Sequence, residues 1–266
     1  MKLARLSTPE GPVVGRFEAD GVESHLSKGS VSGFVETSDG TYEIGRDGRL
    51  LAPCTPTAIY CVGRNYAETI EQMSYDRPDE PDFFIKPPVS LSAHGDPIRY
   101  PTFTEELTYA GELAAVVGKR CRNLSPVDVP EVVRGYTILN DLDALDQDGR
   151  TPRKAFDGSA PLGPWIETDV DPIETPIEMY TDVSGERRQE ASTAKMLFRP
   201  DEVIAHLSAR VTLQPGDVIS FGSPANPGCI VPGDVVEITY EGVGTLRNEV
   251  ASATTSRYGH RSSRSV

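Results

Sequence analysis

One stretch limits what this chain can fold into more than any other. Residues 109–118, Tyr-Ala-Gly-Glu-Leu-Ala-Ala-Val-Val-Gly, form an apolar run at strand density with a single carboxylate inside it. Side chains alternate across a strand, so Ala110, Glu112, Ala114 and Val116 share one face. An ionised Glu112 among methyl groups is costly unless a cation, a metal or hydrogen-bond donors meet it. Periodicity leaves a second arrangement equally open, an edge strand with Glu112 in water.

The 266 residues suffice for one large domain, or a small one and a larger one. A formal net charge of -14 argues against nucleic acid and against anionic membranes as partners. No apolar run reaches the length of a membrane span, and the first residues lack a signal-peptide core, so a cytoplasmic location is the expectation. Cys54, Cys61, Cys121 and Cys229 lack metal-type spacing and suit reduced, mostly buried thiols. Only six of the 26 basic residues are lysine. That scarcity fits a high-salt cytoplasm and equally a GC-rich genome.

Residues 1–52 alternate short strands with Gly- and Pro-rich turns, a small β-rich domain in which His25 stands alone. Residues 58–63 predict a buried strand ending in a glycine turn, followed by a short helix over 65–73, a plausible lip for a pocket carrying Arg64 and Tyr66. Lys86 ends the strand Phe83-Phe-Ile-Lys86, where it either snorkels off an apolar surface or points into a site. His94 and His206 read as structural. Ser125 and the acids after it predict a capped helix over 125–134. A second buried strand, 135–141, ends on Asp141, with Asp143, Asp146 and Asp148 close behind. Four carboxylates in eight residues need solvent or a counter-charge, and a divalent metal is one way to supply it. Residues 180–190 predict a hairpin, Ser192-Thr193 is a candidate cap for the start of Met196-Leu-Phe, and 200–207 has helical spacing. Pro-Gly-Asp-Val recurs at 215–218 and 232–235 as a shared turn. Residues 251–266 form a Ser/Thr/Arg tail without core residues, for which disorder is expected.

Taken in order, Cys61-Val-Gly-Arg-Asn-Tyr-Ala67, Phe84-Ile-Lys86-Pro, Glu112-Leu-Ala-Ala-Val-Val-Gly-Lys, Asn140-Asp141, Lys154-Ala-Phe-Asp, Pro161-Leu-Gly-Pro-Trp and Leu213-Gln-Pro-Gly-Asp-Val-Ile resemble the fumarylacetoacetate hydrolase superfamily over roughly residues 58–250. The resemblance implies an α+β, mostly β fold: a mixed β-roll over 57–250, behind the N-terminal domain of 1–52, in a homodimer. It also implies a small 2-oxo acid or 1,3-dicarbonyl substrate, and Mg²⁺ or Mn²⁺ acting as a Lewis acid on an enolate. Carried over by position, Glu112 and Asp141 are the metal ligands, Lys154 the catalytic group, and Arg64, Tyr66, Lys86 and Ser223 the substrate-binding residues.

Four departures fall on that same site. The first glutamate of the family's Glu-x-Glu pair is Ala110, the water-activating His-x-x-Glu dyad falls on Thr69 and Gln72, and an arginine position falls on Leu145. Neither Thr69 nor Gln72 can take a proton from water at neutral pH. Asp143 as a replacement ligand and Glu71 as a replacement base are both disfavoured, since one residue along a helix turns a side chain by about 100°. The reading is a divergent enzyme of small oxo acids favouring decarboxylation, tautomerisation or isomerisation over hydrolysis. Its alternative is a catalytically silent or metal-independent relative with a binding, structural or specialised-metabolism role.

Overall fold

The computed structural model describes residues 1–19 and 31–253, so His25 and most of the C-terminal tail lie outside the described residues. Among the described residues strands dominate, with three short α-helices: α1 (Ala67–Met73), α2 (Arg150–Lys154) and α3 (Pro200–Arg210). The spine is a long mixed sheet. From one end its strands run Gly40–Glu43, Gly33–Thr37, Gly11–Ala19, Lys2–Thr8, Ala160–Glu167, Val133–Asn140, Gly111–Val117, Val218–Ser220, Ile59–Gly63 and Asp82–Lys86. The N-terminal strands belong to this sheet through the pairs Lys2 with Glu167 and Leu3 with Ile166. Phe17 stacks on Trp165 across that junction, ring centroids 4.5 Å apart.

The Gly111–Val117 strand sits in the interior, hydrogen-bonded to Val133–Asn140 on one side and Val218–Ser220 on the other. The edge-strand arrangement therefore does not occur. Every residue of the strand is buried. Leu113, Ala115 and Val117 face the larger hydrophobic core, while Ala114 and Val116 face a second core with Ile59, Cys61 and Leu139. A strand covered on both faces needs apolar residues at both parities, which explains the unbroken Leu-Ala-Ala-Val-Val run.

A five-stranded sheet, ordered Glu186–Ser192, Glu178–Val183, Val235–Tyr240, Gly244–Ala251 and Ile98–Arg99, closes over the larger core. Its predicted hairpin turns at Ser184 and Gly185, both with positive φ (51° and 83°), the geometry that suits the twist of a two-residue turn. The repeated Pro-Gly-Asp-Val is one turn used twice. Asp217 N donates to Gln214 O and Asp234 N to Val231 O at 3.0 Å, with Gly216 and Gly233 at φ near +90°. The helix predicted over 125–134 is instead a 3-10 turn, Pro126–Glu131, because Pro130 has no N–H to continue it. Among the cysteines Cys61 and Cys121 are buried, Cys54 is half-buried and Cys229 is exposed.

Candidate functional site

A cavity of about 710 Å³ opens where the Ile59–Gly63 and Gly111–Val117 strands end, between α1, α2 and the loop carrying Ser223. Its floor continues the two central strands. Gly111 pairs with Asn140, and one step further Asp141 N donates to Ala110 O at 2.9 Å. Position 110 therefore lies directly across from Asp141, and the side chain it offers there is a methyl group.

Asp141 carries two ammonium groups. Lys86 Nζ stands 2.7 Å from Oδ1, angled away from an ideal hydrogen bond, and Lys154 Nζ donates to Oδ2 at 2.6 Å. Lys86 is completely buried and donates to the carbonyls of Leu142 (2.9 Å) and Ser159 (2.7 Å), which leaves one proton on the side of Asp141. Burial lowers its pKa. Although burial opposes ionisation of Asp141, Lys154 and Lys86 hold its carboxyl below the usual range. Burial likewise opposes charge on Lys154, and Asp141 and Asp143 outweigh it, so its pKa is raised and it remains an ammonium. Glu112 receives the Ser220 hydroxyl; burial first, and then Asp141, push its carboxyl up to about 8.

Of the acids after Asp141, Asp143 is paired with cations, Asp146 is held by neutral donors and Asp148 is exposed. Asp143 accepts a two-pronged contact from Arg153 at 2.8 and 2.6 Å, with Lys154 3.2 Å away. Asp146 takes the hydroxyl of Thr104 and the backbone N–H of Glu105.

Arg64, Glu112, Asp141, Lys154 and Ser223 all line the cavity, together with Ala110, Thr69, Gln72 and Leu145. Two expected substrate contacts do not reach it. Lys86 lies beneath Asp141, and Tyr66 is buried in the larger core. Lys86 supports the floor through Asp141, and Tyr66 packs in the core behind it. Glu71 is exposed and off the cavity wall, and Asp143 is taken by Arg153. Thr69 and Gln72 work as staples. Thr69 Oγ1 donates to Ser223 O at 3.0 Å, while Gln72 exchanges two 2.9 Å hydrogen bonds with Asn226. Gln189 holds the same loop from the other side through Ser223 Oγ, Pro224 O and Ala225 O.

Sequence reasoning missed Arg150 and Arg153, which line the cavity from α2 with Lys154. Positions 150, 153 and 154 follow the i, i+3, i+4 spacing of one helix face, a pattern too short in a five-residue helix to stand out. It also missed Ser220, whose partnership with Glu112 joins strands 108 residues apart in sequence.

A family model described as fumarylacetoacetate (FAA) hydrolase C-terminal matches residues 58–251. The fold is similar to a structure titled 5-carboxymethyl-2-hydroxymuconate delta-isomerase from Mycobacterium smegmatis, 36% identical, with a TM-score of 0.83 over 96% of this chain and 100% of that one. It is also similar to fumarylpyruvate hydrolase from Pseudomonas aeruginosa in complex with Mn²⁺ and pyruvate, 28% identical, with a TM-score of 0.71 over 84% of this chain and 97% of that one. Mitochondrial oxaloacetate tautomerase of Bos taurus is 32% identical over 72% of this chain and 90% of its own length. With its β-rich architecture, its motif order and these likenesses in agreement, the chain belongs to the fumarylacetoacetate hydrolase family.

Proposed function

We propose that the cavity converts a small 2-oxo acid through an enolate whose charge is met by the Lys154 ammonium, and that decarboxylation is the chemistry it suits best. Relatives named for isomerase/decarboxylase and oxaloacetate tautomerase activities support the substrate class. The observation that carries the reading is Lys154 itself: it lines the cavity, its side chain is 14% exposed, and Asp141 fixes its Nζ at 2.6 Å.

Other members of the family bind a divalent ion, as the P. aeruginosa complex with Mn²⁺ shows. The donors present here do not fit such an ion. Ala110 gives a methyl where a third carboxylate would lie, both oxygens of Asp141 face ammonium groups, and Glu112 is engaged by Ser220. Among the described residues no three His, Cys, Asp or Glu side chains gather around one point. Of the two residues expected as ligands of Mg²⁺ or Mn²⁺, Glu112 and Asp141, Asp141 is here read as the anionic seat that orients Lys154, and Glu112 as its mostly protonated neighbour.

Decarboxylation of a 2-oxo acid bearing a carboxylate on C3 requires no base. The bond from C3 to that carboxylate breaks, its electron pair passes to the C2 oxygen, CO₂ leaves, and C3 then takes a proton. A fixed cation beside the C2 oxygen lowers the barrier because it meets charge that develops only in the transition state. Hydrolysis would need activated water, and Thr69 and Gln72 are committed to the Ser223–Asn226 loop. Those staples also favour a second reading, a ligand-binding relative without turnover. Oxaloacetate decarboxylation separates the two: Lys154→Met reduces the rate about 10²- to 10³-fold under the first. Under the second, wild-type protein and variant both match the uncatalysed rate.

A further inference from the structure

The cavity rim holds more positive charge than its own contacts consume, in a protein of net charge -14. Arg64 and Arg150 share one carboxylate, Asp82. Arg64 Nη2 donates to Oδ2 at 2.9 Å, and Arg150 donates to Oδ1 and Oδ2 at 3.1 and 3.0 Å. Two guanidinium groups bring ten N–H donors and two charges to this single acid. The group therefore keeps one net positive charge, while Arg153 and Lys154 are balanced by Asp143 and Asp141.

Two further observations set Arg64 apart. Arg64 has φ of +56°, a left-handed backbone that a non-glycine residue adopts at a cost of about 1 kcal/mol or more. Asn65 anchors that turn through Phe198 and Phe221, and its effect is to put the Arg64 side chain on the cavity wall. Arg64 Nε is buried and has no protein acceptor. Position 145, where the resemblance leads one to expect an arginine, carries Leu145, so α2 and the Gly63–Arg64 turn supply the guanidinium charge at this mouth.

Phe84 sets the scale. Arg150 Cζ lies 5.5 Å and Lys154 Nζ 5.6 Å from its ring centroid, which puts the two cations no more than about 11 Å apart. An extended diacid of four to six carbons, roughly 4–7 Å between its carboxyl carbons, spans such a gap over an apolar ring.

We propose that Arg64 and Arg150, bridged by Asp82, form a subsite for the distal carboxylate of a dicarboxylic 2-oxo acid whose oxo end lies at Lys154. The subsite rests on the reading of the cavity as a 2-oxo-acid site, and the test distinguishes the two claims. Calorimetric titration compares 2-oxoglutarate with 2-oxopentanoate, which has the same chain length and lacks the distal carboxylate. The wild type binds the diacid about 10- to 100-fold more tightly, the effect of one charge-assisted guanidinium contact. Arg150→Gln and Arg64→Gln erase that preference and leave 2-oxopentanoate affinity within twofold; Arg150→Lys restores part of it. Equal affinity for the two probes, no binding of either, or equal losses for both in Arg150→Gln overturns the subsite. If the preference persists but Lys154→Met weakens neither probe, the subsite stands and the placement of the oxo end fails.

Discussion

The floor and the rim of the cavity are built from the same kinds of residue and settle their charge in opposite ways. At the floor, Asp141 is closed in by Lys86 and Lys154, and Lys86 also donates to two backbone carbonyls. At the rim, Asp82 is outnumbered by Arg64 and Arg150, both in contact with solvent. Burial makes the difference. A carboxylate with 4% side-chain exposure has to be paired completely, because unmet charge is expensive in a low dielectric. One with 25% exposure shares its counter-ions with water. The floor accordingly keeps no unmet charge, and the rim keeps one positive charge that a ligand's carboxylate can meet.

Removing Lys86 tests this contrast most severely. Lys86→Met leaves Asp141 half-paired and the carbonyls of Leu142 and Ser159 without their donor, and is expected to cost about 3–5 kcal/mol in denaturant unfolding. A loss below 1 kcal/mol would mean that the floor is wetter than its geometry indicates. Lys154→Met is expected to act on rate more than on fold, since Lys86 still pairs with Asp141; unfolding midpoints beside the oxaloacetate rates separate the two effects.

The smallest effect belongs to the rim. Hydrogen bonding from Arg150, against opposing burial, and then from Arg64 lowers the pKa of Asp82. A depressed carboxylate contributes stability that is present above its unfolded value, near 3.9, and is lost as pH falls through the lower folded value. Asp82→Asn should thus cost about 1 kcal/mol or less at pH 7. The gap in melting temperature between variant and wild type should close as pH falls below about 4. A gap that is unchanged down to pH 2 would show that the ion pairs contribute nothing there.

Much of this was legible in the sequence because the central strands state their environment. Ile138 and Leu139 read as part of a buried strand, Leu113 to Val117 as a strand of apolar density, and the Pro-Gly-Asp turns repeat through the same backbone geometry. The cavity-facing set of Glu112, Asp141, Lys154 and Ser223 follows from motif order. What escaped was pairing across space. Alternation placed Glu112 in a strand but could not choose between interior and edge, since that depends on partners more than 20 residues away. Lys86 was taken for a contact residue because sequence does not show that Leu142 and Ser159 turn their carbonyls toward it. Arg150 and Arg153 were overlooked because α2 is only five residues long and contains Pro152, too little pattern for a helix to declare itself.

On the function proposed above, a fixed lysine charge serves this cavity in place of a metal. Calorimetric titration of Mn²⁺ into the chelator-treated protein tests it without reference to any substrate. No saturable heat is expected up to millimolar Mn²⁺ in the wild type. Ala110→Glu, which restores a carboxylate opposite Asp141, is predicted to acquire measurable binding. Stoichiometric binding at micromolar Mn²⁺ in the wild type, lost in Asp141→Ala, would contradict it.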